Sequence, residues 1–515
     1  MAHKETNISV EDILFTLPQR YRPRSKAVNK GVVHFVVQGK RGGSFTVTID
    51  GNQCRVEKGV AGEADCVVRS RDKVLIGIEL GQLNPQVAFL MRRITISNLS
   101  LFLEFNKQFI PFHKWHRSQN SNESRTALPL LKGPLRNITI LDFTRLYPAP
   151  LATMWLGDLG AQVIKIEHPQ SPDPMRSYPP FTENGLSAGF LSVNRNKLSL
   201  ALDFTVEEGR NILEALIKKA DVLVESYRPG RMSDWGLDYE SVKNINPRLI
   251  YITLSGFPIH GAFAHFAGHD LNFYGLSGAL NATGTPEQPV IPAIQIADVL
   301  GAYNVVVTTL LALWNRQNEE QGGYYPLSLM EAMVSATQLQ LAQHAFASSF
   351  VARGQGILSG GMAAYNVYSC KDNQFIALAA VEPKFWETFC DAVGHPEWKG
   401  AYFLESEEQA HIIQAVGEVI RQHPREYWEA LGKKLNICLT PVLSFGEVKE
   451  WFQKNQGGVN FGEINHVPVT LPPFIGVSEN NHPAPSLGEH TVPLLEKLGL
   501  SSQKISTLKH EGIIQ

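Results

Sequence analysis

The chain has 515 residues, 43% of them hydrophobic and 19% charged, with a formal net charge of -2. That length suits two or three domains, each able to bury its own core, and the near-neutral balance excludes a general electrostatic pull toward nucleic acid or anionic membranes. Five cysteines, Cys54, Cys66, Cys370, Cys390 and Cys438, are odd in number and lack CxxC spacing, which argues against a disulfide framework or a metal site and fits a reducing cytoplasm.

The opening MAHKETNISVEDILF lacks a basic segment followed by an apolar run, so no leader is expected there, and no later segment reads as the roughly 18 apolar residues that span a bilayer. In GVVHFVVQG and GGSFTVTIDGNQCRVEKG apolar and polar residues alternate between glycines, which predicts half-buried antiparallel strands. Helical spacing follows in VLIGIELGQ and LNPQVAFLMRR, so residues 1–120 read as a small α+β domain. A polar, Ser/Asn-rich stretch ending in Gly-Pro marks 121–133 as a linker. Beyond it NITILDFTR, QVIKIEHP, ADVLVESY and LIYITLSG are strands, with PLATMWLGDLGA a helix among them. Strands alternating with helices predict a parallel sheet covered on both faces, here over 134–340. Over 341–445 a strand, turn and strand in YNVYSCKDNQFIALAAV precede the helices WETFCDAVG and REYWEALGKKL, which makes a second α+β unit. The final GIIQ is not a Ser-Lys-Leu peroxisomal address.

Several motifs in residues 134–515 agree in what they resemble. LDFTRLYPAPLATMWLGDLGAQVIKIEHP carries Asp158, Leu159, Gly160, Ala161 and Glu167; VNRNKLSLALDF carries Asn194, Arg195, Lys197 and Asp203; ESYRPGRMSDWGLD carries Arg228, Pro229 and Gly230. With AGHDLNFYGLSGAL, IADVLGAYNVVVTTLLALWNR, LSGGMAAYNVY and AVEPKFWETF, the region resembles the superfamily of family III CoA-transferases and α-methylacyl-CoA racemases. The resemblance implies an α/β fold: a Rossmann-like large domain with a parallel sheet, a smaller α+β domain, and 446–515 returning to the large domain. It also implies an interlocked homodimer, with no metal or redox cofactor and with CoA entering as part of the thioester substrate. Lys165, Arg195 and Arg228 are the expected contacts to CoA, whose phosphates suit charge-assisted bonds from Arg or Lys; the alternative for each is a solvated surface cation. Two segments depart from the family pattern: PIHGAFAHFAG replaces its usual Gly-Pro turn, and PAP at Pro148 to Pro150 stands for its Ala-Gly-Pro.

The racemase branch of that superfamily implies His269, Asp270, Asp298 and Glu382 as catalytic residues. Inverting a carbon beside a thioester removes a proton from one face and returns one to the other. A histidine, with a free pKa of about 6.5, and a carboxylate raised by burial can exchange those roles at neutral pH. His269 and Asp298 are the expected pair, the helix starting near Asp298 offers N–H groups to the enolate, and Asp270 and Glu382 are expected to orient the imidazole. Helix capping is the alternative for Asp270 and Asp298, and first-turn placement beside Pro383 is the alternative for Glu382. In the transferase branch Asp298 instead attacks the thioester as a nucleophile, and His269 is not required.

Residues 8–117 resemble the sterol carrier protein type 2 fold, through Gly43 to Phe45, the Gly59 to Asp65 turn, and Gly81 with Asn84-Pro85 before an apolar helix; the family's later Gly-Lys position reads Arg92-Arg93. The resemblance implies a lipid or acyl chain in an apolar tunnel. Phe102, Phe105 and Phe109 either help close that tunnel or form ordinary core. A whole chain acting as a nonenzymatic lipid carrier is a further alternative. The fusion suggests bulky branched acyl-CoA substrates, with neither nucleic acid nor stable membrane insertion expected.

Overall fold

The computed structural model describes residues 8–21, 30–51, 53–80, 85–109, 112, 128, 132–182, 185–346, 352–403, 406–455, 461–464, 467–470 and 482–515. Nearly all of the expected linker at 121–133 lies outside the described residues. Contacts divide the chain into two compact units, Met1–Leu130 with Ile166–Arg210 and Pro483–Gln515, and Leu131–Lys165 with Asn211–His482.

In the N-terminal domain the alternating segments become strands β1 (Lys30–Gln38), β2 (Gly43–Asp50) and β3 (Gln53–Lys58), followed by β4 (Cys66–Arg71) and β5 (Ile94–Ile96). They form one sheet in the order β3-β2-β1-β4-β5, antiparallel except for β1 against β4. Helices α1 (Val10–Leu14), α2 (Asp72–Glu79), α3 (Pro85–Leu90) and α4 (Leu99–Asn106) accompany it. Val33, Phe35, Phe45, Val47, Phe105 and Phe109 are buried in its core, and Phe102 packs partly buried against Phe35 and Phe105.

The larger part of the chain supplies β6 (Thr139–Phe143), α5 (Pro148–Asp158), β7 (Gln162–Glu167), β8 (Lys197–Ala201), β9 (Val222–Glu225), β10 (Ile250–Ser255), α6 (Asp270–Leu276), α7 (Ile296–Glu319), β11 (Gly323–Ser328) and α8 (Leu329–Ala336). The six strands form a sheet in the order β11-β10-β9-β6-β7-β8, and the pairings of β6 through β11 with registers are all parallel. This is the α/β architecture with a parallel sheet that the strand and helix alternation predicts. Pro148 and Pro150 begin α5, where a missing N–H costs nothing, and the helix closes into Gly160 at φ +99°; a Cβ there would sit 2.4 Å from the Lys132 carbonyl oxygen. The C-terminal segment lies along β8 through His490 N–H to Ser199 O and Asp203 N–H to Ile513 O.

Helix α7 corrects one expectation. Its 24 residues are long and apolar enough, by length and composition, to cross a membrane. One face is nevertheless built into the protein, with Ala297, Gly301, Val305, Thr309 and Ala312 buried; a Cβ on Gly301 would meet Leu329 at 2.3 Å, so the glycine permits close packing on α8. The opposite face exposes Val307, Leu310, Leu311 and Trp314, a stripe at helical spacing.

The small unit pairs β12 (Tyr365–Ser369) with β13 (Phe375–Ala379) and β13 with β14 (Leu439–Pro441), all antiparallel, beside α9 (Pro383–Ala392), α10 (Ser406–Ile420) and α11 (Arg425–Leu435). Its core holds two buried tryptophans whose indole N–H groups are satisfied, Trp386 by Trp398 O at 2.9 Å and Trp428 by Ile420 O at 2.7 Å.

Candidate active site

From β6 the chain order runs outward to β7 and β8 on one side, and from β9 to β10 and β11 on the other. The reversal between β6 and β9 is a topological switch point, where parallel sheets open a crevice at the carboxyl ends of their strands. Two loops meet there: the Arg145 N–H donates to Ser226 Oγ at 3.0 Å, and the Arg145 guanidinium lies 5.6 Å from the Tyr227 ring centre. The loop after β6 is held from within. Buried Asp142 accepts from the Thr144 N–H at 2.8 Å and the Thr153 hydroxyl at 2.9 Å, while the Lys165 ammonium donates to the Thr144 carbonyl at 2.7 Å. Leu146 adopts φ +68°, a left-handed conformation that costs a non-glycine residue about 1–2 kcal/mol, and Tyr147 follows as the N-cap of α5.

Three acidic groups of this unit come together around the start of α7. Asp270, first residue of α6, reaches the N-terminus of α7, where its Oδ1 accepts from the Ala297 N–H at 2.7 Å and the Asp298 N–H at 3.2 Å. Orphan N–H groups of a helix's first turn need such an acceptor. Asp270 is therefore a cap, but of α7 rather than of the helix it begins, and those two N–H groups are spent on it rather than offered to an enolate. Asp298, in the first turn of α7, is half-buried, and its carboxylate accepts no hydrogen bond among the described residues. Burial first, and the neighbouring charge of Asp270 second, push its pKa up to about 7. Asp270 is also raised by burial, but the two N–H donors pull it back. The Tyr147 phenol is raised by burial and by the charges of Asp298 and Asp270, which places it beside the pair.

His269 immediately precedes Asp270 as the N-cap of α6; its side chain is exposed, and its N–H donates to Asn272 Oδ1 at 3.0 Å. Glu382 is the exposed N-cap of α9, followed by Pro383 at N1. Among the described residues no hydrogen bond or ion pair joins it to Asp270, Asp298 or His269.

The three expected CoA contacts separate. Arg228 is exposed and lines a cavity of about 180 Å³ with Glu225, Tyr239, Tyr251 and Tyr324. Lys165 and Arg195 require correction, being 0% and 3% exposed. Lys165 lies on a strand covered on both faces, paired in register with Asp142, and its ammonium holds the Thr144 loop. Arg195 belongs to a buried turn in which the Lys197 ammonium donates to Asn194 Oδ1 at 2.8 Å and Asn194 donates to Phe190 O at 3.0 Å.

Two residues of the site were missed in the sequence. Tyr147 has no motif, although its place just after a strand and before Pro148 is where switch-point residues occur. Glu225 ends β9, accepts from the Tyr227 N–H at 2.7 Å, and is pushed up to about 7 by burial.

Residues 135–491 match the family model described as CoA-transferase family III, and residues 11–107 match the SCP-2 sterol transfer family. The chain is 29% identical over 391 residues to the alpha-methylacyl-CoA racemase of Homo sapiens, covering 74% of this chain and 97% of that protein. It is 30% identical over 400 residues to the succinyl-CoA:glutarate CoA-transferase of Mus musculus, covering 74% and 90%. The crystal structure of a CAIB/BAIF family protein from Brucella suis matches with a TM-score of 0.63 at 26% identity, over 71% of this chain and 99% of that one.

Proposed function

The chain belongs to CoA-transferase family III, and from that premise we propose that it is an acyl-CoA racemase or epimerase, inverting the α-carbon of 2-methylacyl-CoA thioesters through an enolate. The observation that carries this reading is Asp298, a carboxyl group held at about 7 by burial and by Asp270. A group poised at the working pH gives up and takes back a proton with little bias, which suits acid/base exchange with His269 across a substrate carbon. A group at about 7 is about half ionised at pH 7, so the same carboxylate also suits nucleophilic attack on a thioester.

Binding of the substrate follows from the surroundings. Arg228, exposed and lining the cavity beside β9 and β10, would offer its guanidinium to a CoA phosphate, with Arg145 on the loop after β6. The loop before His269, where the usual Gly-Pro turn is replaced, carries exposed Phe263 and Phe266 in contact with each other and with Phe257, which packs on buried Phe273 of α6. That apolar wall beside the histidine suits a bulky branched acyl chain. The N-terminal domain would hold a lipid or acyl chain, and the tether raises local substrate concentration where geometry allows transfer. The exposed stripe on α7 supports a homodimer in which a second copy covers it. Five free cysteines support a reducing, cytoplasmic setting.

The transferase reading, in which Asp298 attacks the thioester to give a mixed anhydride and free CoA, CoA displaces the donor acid to give an aspartyl-CoA thioester, and a second acid then receives the CoA, is supported by the comparable similarity to succinyl-CoA:glutarate CoA-transferase. Incubation with a single epimer of a 2-methylacyl-CoA in deuterated water, with no acceptor acid, separates the two. Deuterium at C2 with inversion is the expected result. No exchange, together with CoA transfer to an added carboxylic acid and labelled oxygen entering Asp298, would replace it with the transferase.

A further inference from the structure

Strands β1 and β4 run parallel in a register that sets Val36 beside Arg69 and Gln38 beside Arg71. Side chains alternate along a strand, so these residues share one face of the sheet. On the far side of β4, Ser70 pairs with Ile94 at the start of β5, and Arg92 and Arg93 lead into that strand. The four arginines, with Gln38 and Ser70, line a solvent-open cavity of about 420 Å³ that Val36 and Val74 also line. Among the described residues none of the four guanidinium groups has an ion pair or hydrogen bond. Nearby carboxylates are already engaged: Asp72 accepts from the N–H groups of Arg41 and Lys73, and Glu79 pairs with Arg20 at 3.0 Å. All four arginines are solvent-exposed, and among the described residues no carboxylate neutralises them.

Arg92 adds an independent observation. It closes α3 in the left-handed region at φ +54°, with its N–H on Phe89 O and the Arg93 N–H on Ala88 O. Glycine adopts that conformation at the lowest cost, and this is where the sterol carrier pattern has Gly-Lys. A strained arginine in a position that backbone geometry assigns to glycine contributes a guanidinium to the cavity at the expense of the fold.

We propose that this cavity binds a phosphate-bearing anion of at least two negative charges, an organic phosphate ester or diphosphate. Planar guanidinium forks match phosphate oxygens in pairs; four of them exceed what a single fatty carboxylate would engage. This proposal does not rest on the reaction proposed above.

The test uses the full chain, titrated calorimetrically with inorganic pyrophosphate and with desulfo-CoA, and sedimented with phosphatidylcholine vesicles containing phosphatidic acid. A soluble phosphate should bind at a site that Arg69→Ser/Arg93→Ser weakens roughly tenfold or more and that Asp298→Asn leaves intact. The same loss confined to vesicles would identify a lipid headgroup as the source of the phosphate. Arg92→Gly guards against misfolding: it relieves the left-handed backbone and should raise the thermal midpoint, yet weaken binding several-fold. If neither soluble phosphate nor vesicle binding responds to these arginines, the proposal is wrong.

Discussion

Replacing Asp270 by Asn tests the electrostatics of the site directly. The amide oxygen of Asn can still accept from the Ala297 and Asp298 N–H groups, so the cap on α7 survives while the charge disappears. Asp298 stands at about 7 against an ordinary 3.8, with burial the larger cause and Asp270 the smaller. The difference is about three pH units, and the smaller of two causes carries less than half of it. Asp270→Asn should therefore lower the Asp298 midpoint by up to about 1.5 pH units and leave it well above 3.8. Carbon-13 NMR of carboxyl-labelled aspartates, with the Asp298 signal assigned by its loss in Asp298→Asn, reads that midpoint whichever reaction the enzyme performs. Under the racemase reading, the limb of the pH–rate profile set by Asp298 moves the same way. A midpoint that stays put or rises would refute the coupling and leave burial as the sole cause.

Under the racemase reading Asp298→Asn should slow C2 exchange by roughly a hundred- to ten-thousandfold, and under either reading it should stabilise the protein above neutrality. The folded pKa of about 7 lies above the unfolded value of 3.8, so this group's stability is complete below 3.8 and lost as pH rises through 7. Urea denaturation should show the variant gaining stability at pH 8, with about 4 kcal/mol as a ceiling, and less than about 2 kcal/mol at pH 5; a gain independent of pH would contradict the assignment. Phe266→Ala should raise KM several-fold for bulky acyl-CoA esters and little for short ones, and an equal change for both would remove the apolar wall from the account. Trp428→Ala leaves a cavity in the small unit and removes the indole donor to the Ile420 carbonyl, which keeps the His423 N–H, and calorimetry should register a loss of about 3–5 kcal/mol there.

Much of the architecture could be read in advance because its causes are local. Alternation in GVVHFVVQG and continuous apolar runs in NITILDF and LIYITLS distinguish an antiparallel sheet from a parallel one before any contact is known. Lys165 shows a signal that was present but set aside: in QVIKIE it sits between isoleucines of a strand buried on both faces, so its ammonium had to find an internal acceptor. Other features depend on distant pairing. That Asp270 caps α7 rather than α6 follows from how the two helices pack, and no spacing in the chain encodes it. Arg69 and Arg71 are far in sequence from Arg92 and Arg93, and only the β4–β5 register makes them one cavity. Helix α7 misled by having two apolar faces, one for the core and one left open in the single chain.

The division of labour between the two aspartates follows from which of them receives hydrogen bonds. Two like charges sharing a small volume cannot both ionise easily, so any donor that favours one displaces the burden onto the other. Asp270 holds the backbone donors of the first turn of α7; Asp298, next to them on the same helix, accepts none among the described residues. The first-turn N–H groups of α7 favour the charged form of Asp270, partly offsetting the burial that raises it, and its charge helps raise Asp298 to about 7. The capping alternative for Asp270 and a chemical role for the pair are consequently compatible: the cap is the means by which a charge is fixed beside Asp298.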